Sequence, residues 1–186
     1  MNRFGSNLQE VLDGHVGIIG TKSVMQIGIL LTTLLEKLHS IGYVFNDLKP
    51  DNSCVGNYTK DGHNEIADQH RLSLIDFGLA TEYMETDPAT GEQVHKAREY
   101  NTCFRGNFAF ASHNALNLSS LSRRDDIISL LYLLYSLATN RIFGSPRHIE
   151  RKAILLVRSN LVPELLKHAE YLLLFAKYAY SLDFEE

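Results

Sequence analysis

Asn46-Asp47-Leu48-Lys49-Pro50-Asp51-Asn52 and, about two dozen residues later, Asp76-Phe77-Gly78 are the stretches on which the reading of this 186-residue chain turns. The first puts a carboxylate, an ammonium and an amide within a few positions of a loop stiffened by proline. The second puts a carboxylate and a glycine at the end of an apolar run. Either alone is ordinary. Asp-Leu-Lys-Pro suits a turn with a surface ion pair, and Asp-Phe-Gly suits a strand end running into a glycine turn. Together they specify seven residues (Asp47, Lys49, Pro50, Asn52, Asp76, Phe77 and Gly78), a match that chance supplies about once in 10⁹ placements at roughly 5% usage each. The set is what phosphoryl transfer needs. One carboxylate orients a hydroxyl and accepts its proton, one cation neutralises the moving group, and a carboxylate with an amide oxygen holds magnesium against nucleotide phosphates.

Working outward, Val24, Ile27, Leu31, Leu34, Leu35, Leu38 and Ile41 recur at three- and four-residue steps, which predicts a helix over 22–40. Gly42 stands where a glycine stop belongs. The β-prone Tyr43-Val44-Phe45 leads into the loop, Ser53-Cys54-Val55 leaves it, and Leu72-Ser73-Leu74-Ile75 precedes Asp76. Residues 57–70 read as a polar surface loop. His63, His70, Asp61 and Asp68 in it are ordinary for a solvated loop. Residues 81–117 read as one long irregular segment with a turn at Ala89-Thr90-Gly91. Residues 127–138, IISLLYLLYSLA, are apolar on nearly every side and predict a helix buried all round. Two more helices follow, at 147–158 and 163–180. The first, with Arg147, His148, Arg151, Lys152 and Arg158, reads as a solvated basic face. In the second, Tyr171, Leu174, Phe175 and Tyr178 read as core. The fold class is α+β, mostly helical, with short strands flanking the loop.

Composition narrows the remaining classes. The chain is 45% hydrophobic and 22% charged, enough for a sizeable core and unlike a disordered chain. Its formal charge is −4, without a block of five like charges, so no nucleic-acid partner is expected. No apolar run reaches the roughly 20 residues of a membrane span, and the first residues lack a signal-peptide core. Cys54 and Cys103 form no CxxC, which suits a reducing compartment, or at most one bridge. The expected location is intracellular, cytoplasmic and/or nuclear.

With these motifs in place, the chain resembles the C-terminal lobe of the eukaryotic protein kinases, and within them casein kinase 1. Ser122-Arg123-Arg124-Asp125-Asp126 resembles that family's SRRDD. Phe110-Ala111-Ser112 followed by His113-Asn114 resembles its YAS-IN stretch. Thr90-Gly91-Glu92-Gln93 to Arg98-Glu99 resembles its activation segment, and the end at Ser181-Leu182-Asp183-Phe184-Glu185 resembles its SLRFDE stretch.

The resemblance implies a serine/threonine protein kinase that uses ATP and Mg2+ on protein substrates. It implies Asp47 as the catalytic base, Lys49 as the γ-phosphate contact, Asn52 and Asp76 as the magnesium ligands, and Cys54 as the floor of the adenine pocket. It implies Asp126 as the buried support of the catalytic loop. It also implies gaps. No glycine-rich loop or Val-Ala-x-Lys strand can be picked out, and Met1-Asn2-Arg3-Phe4-Gly5 resembles the stretch just beyond the family's hinge. Residues 1–186 therefore read as a partial kinase domain, from the hinge end through most of the C-lobe, with the N-lobe and the C-terminal end missing. Alone it is expected to be inactive.

Further departures sharpen an alternative, a pseudokinase or kinase-fold interaction module without catalysis. Phe45-Asn46-Asp47 replaces the usual His-Arg-Asp, which removes the usual partner of a phosphorylated activation loop. Asn107 replaces a threonine that braces the catalytic loop, and Ala109 replaces an arginine that binds substrate phosphate.

Overall fold

The computed structural model describes residues 3–14, 19–58, 71–141 and 161–186. The polar-loop residues 59–70 and the expected helix at 147–158 lie outside them. Two long helices form the centre. Helix α2 (Thr21–Ser40) follows a short α1 (Leu8–Gly14). It buries Val24, Leu31 and Leu35, with Ile27, Leu34 and Leu38 packed beside them, as the apolar stripe predicts. Ile41 lies past the helix end and is exposed. Gly42 adopts φ +89° there, and its N–H returns to His39 O at 3.0 Å. This is the left-handed stop that only glycine adopts without cost.

Helix α4 (Arg123–Thr139) packs against α2 and is buried on every side. Leu130, Leu131, Tyr132, Leu133 and Leu137 are sealed from solvent. Burial on that scale is worth roughly 1.5–3 kcal/mol for each large side chain, before entropy is counted. Its first turn is capped by Asp125, whose carboxylate accepts the Ser122 N–H at 2.9 Å. The C-terminal helices α5 (Leu161–His168) and α6 (Leu173–Ser181) pack against α4 and complete the core.

The expected single helix at 163–180 is broken at Ala169 by a 3₁₀ turn, Glu170–Leu172. The break rotates the buried face to Leu172, Ala176 and Ala179, so Leu174 and Tyr178 are exposed rather than core. Tyr171 lies at the surface as well, and Phe175 packs against the core.

The strands form antiparallel pairs. β1 (Arg3–Phe4) pairs with β4 (Asn57–Tyr58), β2 (Tyr43–Val44) with β6 (Thr81–Glu82), β3 (Ser53–Val55) with β5 (Leu72–Leu74), and β7 (Met84–Thr86) with β8 (Gln93–His95). Each strand flanking the loop thus finds its partner beyond Arg71. The segment 81–117 is not irregular throughout. It contains β6, the β7–β8 hairpin and α3 (His113–Leu116). The hairpin closes on Asp87 O···H–N Gly91 at 2.7 Å, at the expected turn. No helix among the described residues is long and apolar enough to cross a membrane.

Candidate active site

The loop 45–52 runs between β2 and β3 and is fixed at both ends. At its start the fastening is Asp126, on the first turn of α4 and 1% exposed. Its Oδ2 accepts the Phe45 N–H at 2.7 Å and its Oδ1 the Asn46 N–H at 2.8 Å. The ring of His39, in the last turn of α2, donates from Nε2 to Oδ2 at 2.8 Å. A buried carboxylate with three donors is a strong anchor, because each bond is charge-assisted in a water-excluded place. The structure places Asp126 against the start of the loop through these three bonds. His39 was not singled out by the sequence, although it continues the buried stripe one helical step beyond Leu35.

Past the anchor, Asp47 is buried and accepts two side-chain donors on one oxygen. Lys49 Nζ lies 2.6 Å from its Oδ2 and Asn52 Nδ2 lies 3.0 Å from it. Asn52 Nδ2 also reaches Asp47 O at 3.0 Å. The other oxygen, Oδ1, is buried with no hydrogen-bond partner among the described residues. An unpaired carboxylate oxygen is costly to keep. It is an acceptor for which the described residues provide no donor.

At the end of the loop, Pro50–Asn52 forms a 3₁₀ turn, and Asn52 O accepts the Ile75 N–H at 3.0 Å. The β3–β5 register, Ser53 with Leu74, thereby brings Asn52 and Asp76 to adjacent chain positions across the pair. Asp76 is exposed and left-handed at φ +61°, its Oδ1 accepting the Gly78 N–H at 3.3 Å. Phe77 turns its ring edge-on to Phe45 at 5.2 Å between centroids. Phe45 thus fills an apolar niche under the following segment.

Two hard oxygens are left for a cation. Asn52 spends its NH2 on Asp47, leaving its carbonyl oxygen, and Asp76 retains Oδ2. Two such ligands suit magnesium, which keeps waters and takes phosphate oxygens for the rest of its shell. No group of three or more His, Cys, Asp and Glu side chains suited to a metal occurs among the described residues.

Side-chain hydrogen bonds join Lys49 and Asn52 to Asp47, and the β3–β5 pairing brings Asn52 near Asp76. Cys54 differs from them. It is 3% exposed on β3, bridged by Asn7 and paired with Ser73, and burial pushes its thiol pKa up. Asn107 makes its bond locally, accepting the Ala109 N–H at 2.8 Å. Beside it, Gly106 passes so close to the loop that an added Cβ would lie 3.3 Å from Asn46 O.

No protein-family model matches the chain. It is similar to a casein kinase 1-like protein of Oryza sativa subsp. japonica, 32% identical over 168 residues, 89% of this chain and 22% of the relative. It is 35% identical over 147 residues to a probable serine/threonine-protein kinase of Dictyostelium discoideum, 76% of this chain and 26% of the relative. It is 30% identical over 131 residues to casein kinase I homolog 1 of Saccharomyces cerevisiae, 70% of this chain and 22% of the relative. The chain spans 22% to 26% of the length of these relatives.

Proposed function

This chain belongs with the casein kinase 1-like protein kinases, and we propose that its residues form the catalytic-loop half of a serine/threonine kinase domain. The observation that carries the reading is the asymmetry of Asp47. One oxygen is tied to Lys49 and Asn52, and the other is buried without a partner among the described residues. A serine or threonine hydroxyl of a protein substrate supplies the missing donor. Asp47 then orients the nucleophile and takes its proton.

The other roles follow from position. Lys49, beside Asp47, supplies positive charge where the transferring phosphoryl group passes. Asn52 and Asp76 would hold Mg2+ with ATP, whose charge the ion neutralises. Cys54 underlies the nucleotide on the adenine side. Asp126 keeps the loop in register.

On this reading residues 1–186 correspond to a kinase domain from the hinge end through most of the C-lobe. The grip on the α- and β-phosphates belongs to a glycine-rich loop and a lysine–glutamate pair that cannot be picked out in these residues. Electrostatic contacts of that kind are worth about 3–4 kcal/mol each in catalysis. The chain by itself is accordingly inactive on this proposal.

The alternative, a kinase-fold interaction module, draws on Phe45, Asn46 and Asn107. The retained set Asp47, Lys49, Asn52 and Asp76 favours the enzyme, because a binding module has no use for an unpaired buried carboxylate oxygen.

The test is phosphotransfer from ATP to a protein substrate, run on this chain and on the full product of the native transcript. The expected result is no turnover by the chain alone, and Mg2+-dependent turnover by a longer product with the missing motifs, abolished by Asp47→Ala. Turnover by the chain alone would refute the half-domain reading. A longer product with neither turnover nor Mg–ATP stabilisation would favour the interaction module.

A further inference from the structure

One neutral side chain ties the segment after Asp76 to the catalytic loop. Asn46 sits at φ +66°, a conformation that asparagine tolerates better than most residues. Its Nδ2 donates to Leu79 O at 2.9 Å and to Thr81 Oγ1 at 2.8 Å, so both amide hydrogens are used on this one segment. The Asn46 N–H is itself held by Asp126, which anchors the contact on α4. Without that side chain, the hydrogen bonds of residues 76–80 among the described residues are the Ala80 N–H to Phe77 O bond at 3.0 Å and the long Gly78 N–H to Asp76 Oδ1 bond, beside the edge contact of Phe77 with Phe45. Asp76 meanwhile stays in a left-handed conformation, which persists only where its surroundings over-determine it.

We infer that Asn46 is a positioning residue that latches residues 79–81 to the catalytic loop, and through them holds Asp76, with no phosphate or other added charge. The role given to Asp76 rests on the kinase reading. The latch itself rests on the two bonds. Both bonds are neutral, and the loop's own cation, Lys49, is engaged with Asp47. Lys96 and Arg105 line the 440 Å³ cavity that Asn46 and Thr81 also line. A latch that depended on an anion would therefore have somewhere to bind one, and the experiment must include that case.

The experiment is hydrogen–deuterium exchange on the 186-residue chain. Asn46→Gly keeps the positive φ without strain and deletes only the latch, and Thr81→Val deletes one of its two acceptors. Losing two hydrogen bonds should speed exchange of the amides at 78–83 by about ten- to a hundredfold in Asn46→Gly, while α4 stays unchanged. Thr81→Val should have a smaller effect, and the double variant should match Asn46→Gly. Millimolar inorganic phosphate should leave the wild-type rates unchanged. Unchanged exchange in Asn46→Gly, additive effects in the double variant, or phosphate-induced protection of the wild type would each overturn the latch.

Calorimetry with Mg–ADP, run on the full product of the native transcript and its Asn46→Gly variant, separates the two claims. If the wild type binds it, Asn46→Gly should lose about tenfold or more in the Mg2+-dependent affinity, and an unchanged affinity overturns the positioning role. If the wild type binds none, the kinase reading fails, and the exchange rates still decide the latch.

Discussion

Replacing Asp126 tests how the loop 45–52 is held. Its carboxylate accepts the Phe45 N–H, the Asn46 N–H and the His39 ring N–H, all within 2.8 Å. Phe45 is fully buried, so its amide has no route to water once the acceptor is gone. Asp126→Ala orphans two backbone donors at roughly 1–3 kcal/mol each and adds a small cavity, for a total of about 3–5 kcal/mol. Part of this returns if Asn46 abandons its left-handed conformation, which costs about 1–2 kcal/mol to hold. Asp126→Asn is the sharper probe. Its oxygen can serve only one of the two backbone amides, and its NH2 then faces the other, so about 1–3 kcal/mol is lost with shape conserved. Against a total stability of about 5–15 kcal/mol, either change is large. Urea denaturation followed by circular dichroism measures both, with the slope expected to stay constant. An Asp126→Ala cost below about 1 kcal/mol would show that the three bonds do not hold the loop, and the account of its anchoring would fail.

Gly42→Ala should cost about 1–2 kcal/mol, read by thermal denaturation, because alanine pays for φ +89° while its Cβ meets nothing closer than Met84 at 3.9 Å. In native protein at pH 8, Ellman's reagent should titrate Cys103 alone, with Cys54 appearing only on unfolding, since Cys54 is buried and its thiol pKa lies above the ordinary 9.0. Burial raises the Asp125 carboxyl above its ordinary 3.8, against the bonds from Ser112, Ser122 and Asn114 that lower it. The native state then binds that proton more tightly than the unfolded chain, so the stability this group contributes is full below 3.8 and is lost as pH rises through its native value. Wild type minus Asp125→Asn, from denaturation at pH 4 to 7, should therefore fall with pH, and a rising difference would refute the assignment.

How much could be read in the chain follows from the signal each element carries. Periodicity in the stripe Val24–Leu31–Leu35 locates α2 to within a residue, and the long apolar run 127–138 marks α4 but not its polar first turn from Arg123. The two- and three-residue strands after Asp76 repeat too little to show a period, so the β7–β8 hairpin was hidden behind its turn residues. The break at Ala169 carries no glycine or proline, and missing it misassigned the faces of Leu174 and Tyr178. At the candidate site, residue types and order pointed to Asp47, Lys49, Asn52 and Asp76, and the family resemblance implied Asp126. His39 could not be read that way, because its partner lies 87 positions away and only tertiary packing brings them together. Asn46 was legible as a departure, but not as a donor to Leu79 and Thr81.

On the proposed function, the anchors of the loop also divide the work between the two halves of a kinase domain. Asp126 on α4 holds Phe45 and Asn46, β3–β5 pairing holds Asn52 beside Ile75, and Asn46 holds residues 79–81. Every one of these contacts is made within the described residues. On the proposed function, Asp47 is therefore preorganised before a nucleotide or second lobe arrives, with its Oδ1 unpaired among the described residues. What remains to be supplied on the proposed function is a grip on the phosphates, which is a matter of binding and not of loop order. Adding the missing half should then raise nucleotide affinity and turnover together while leaving amide protection at 45–52 unchanged. If that protection instead rose sharply on completion of the domain, the loop would be ordered by its partner, and the anchors described here would be insufficient to order it.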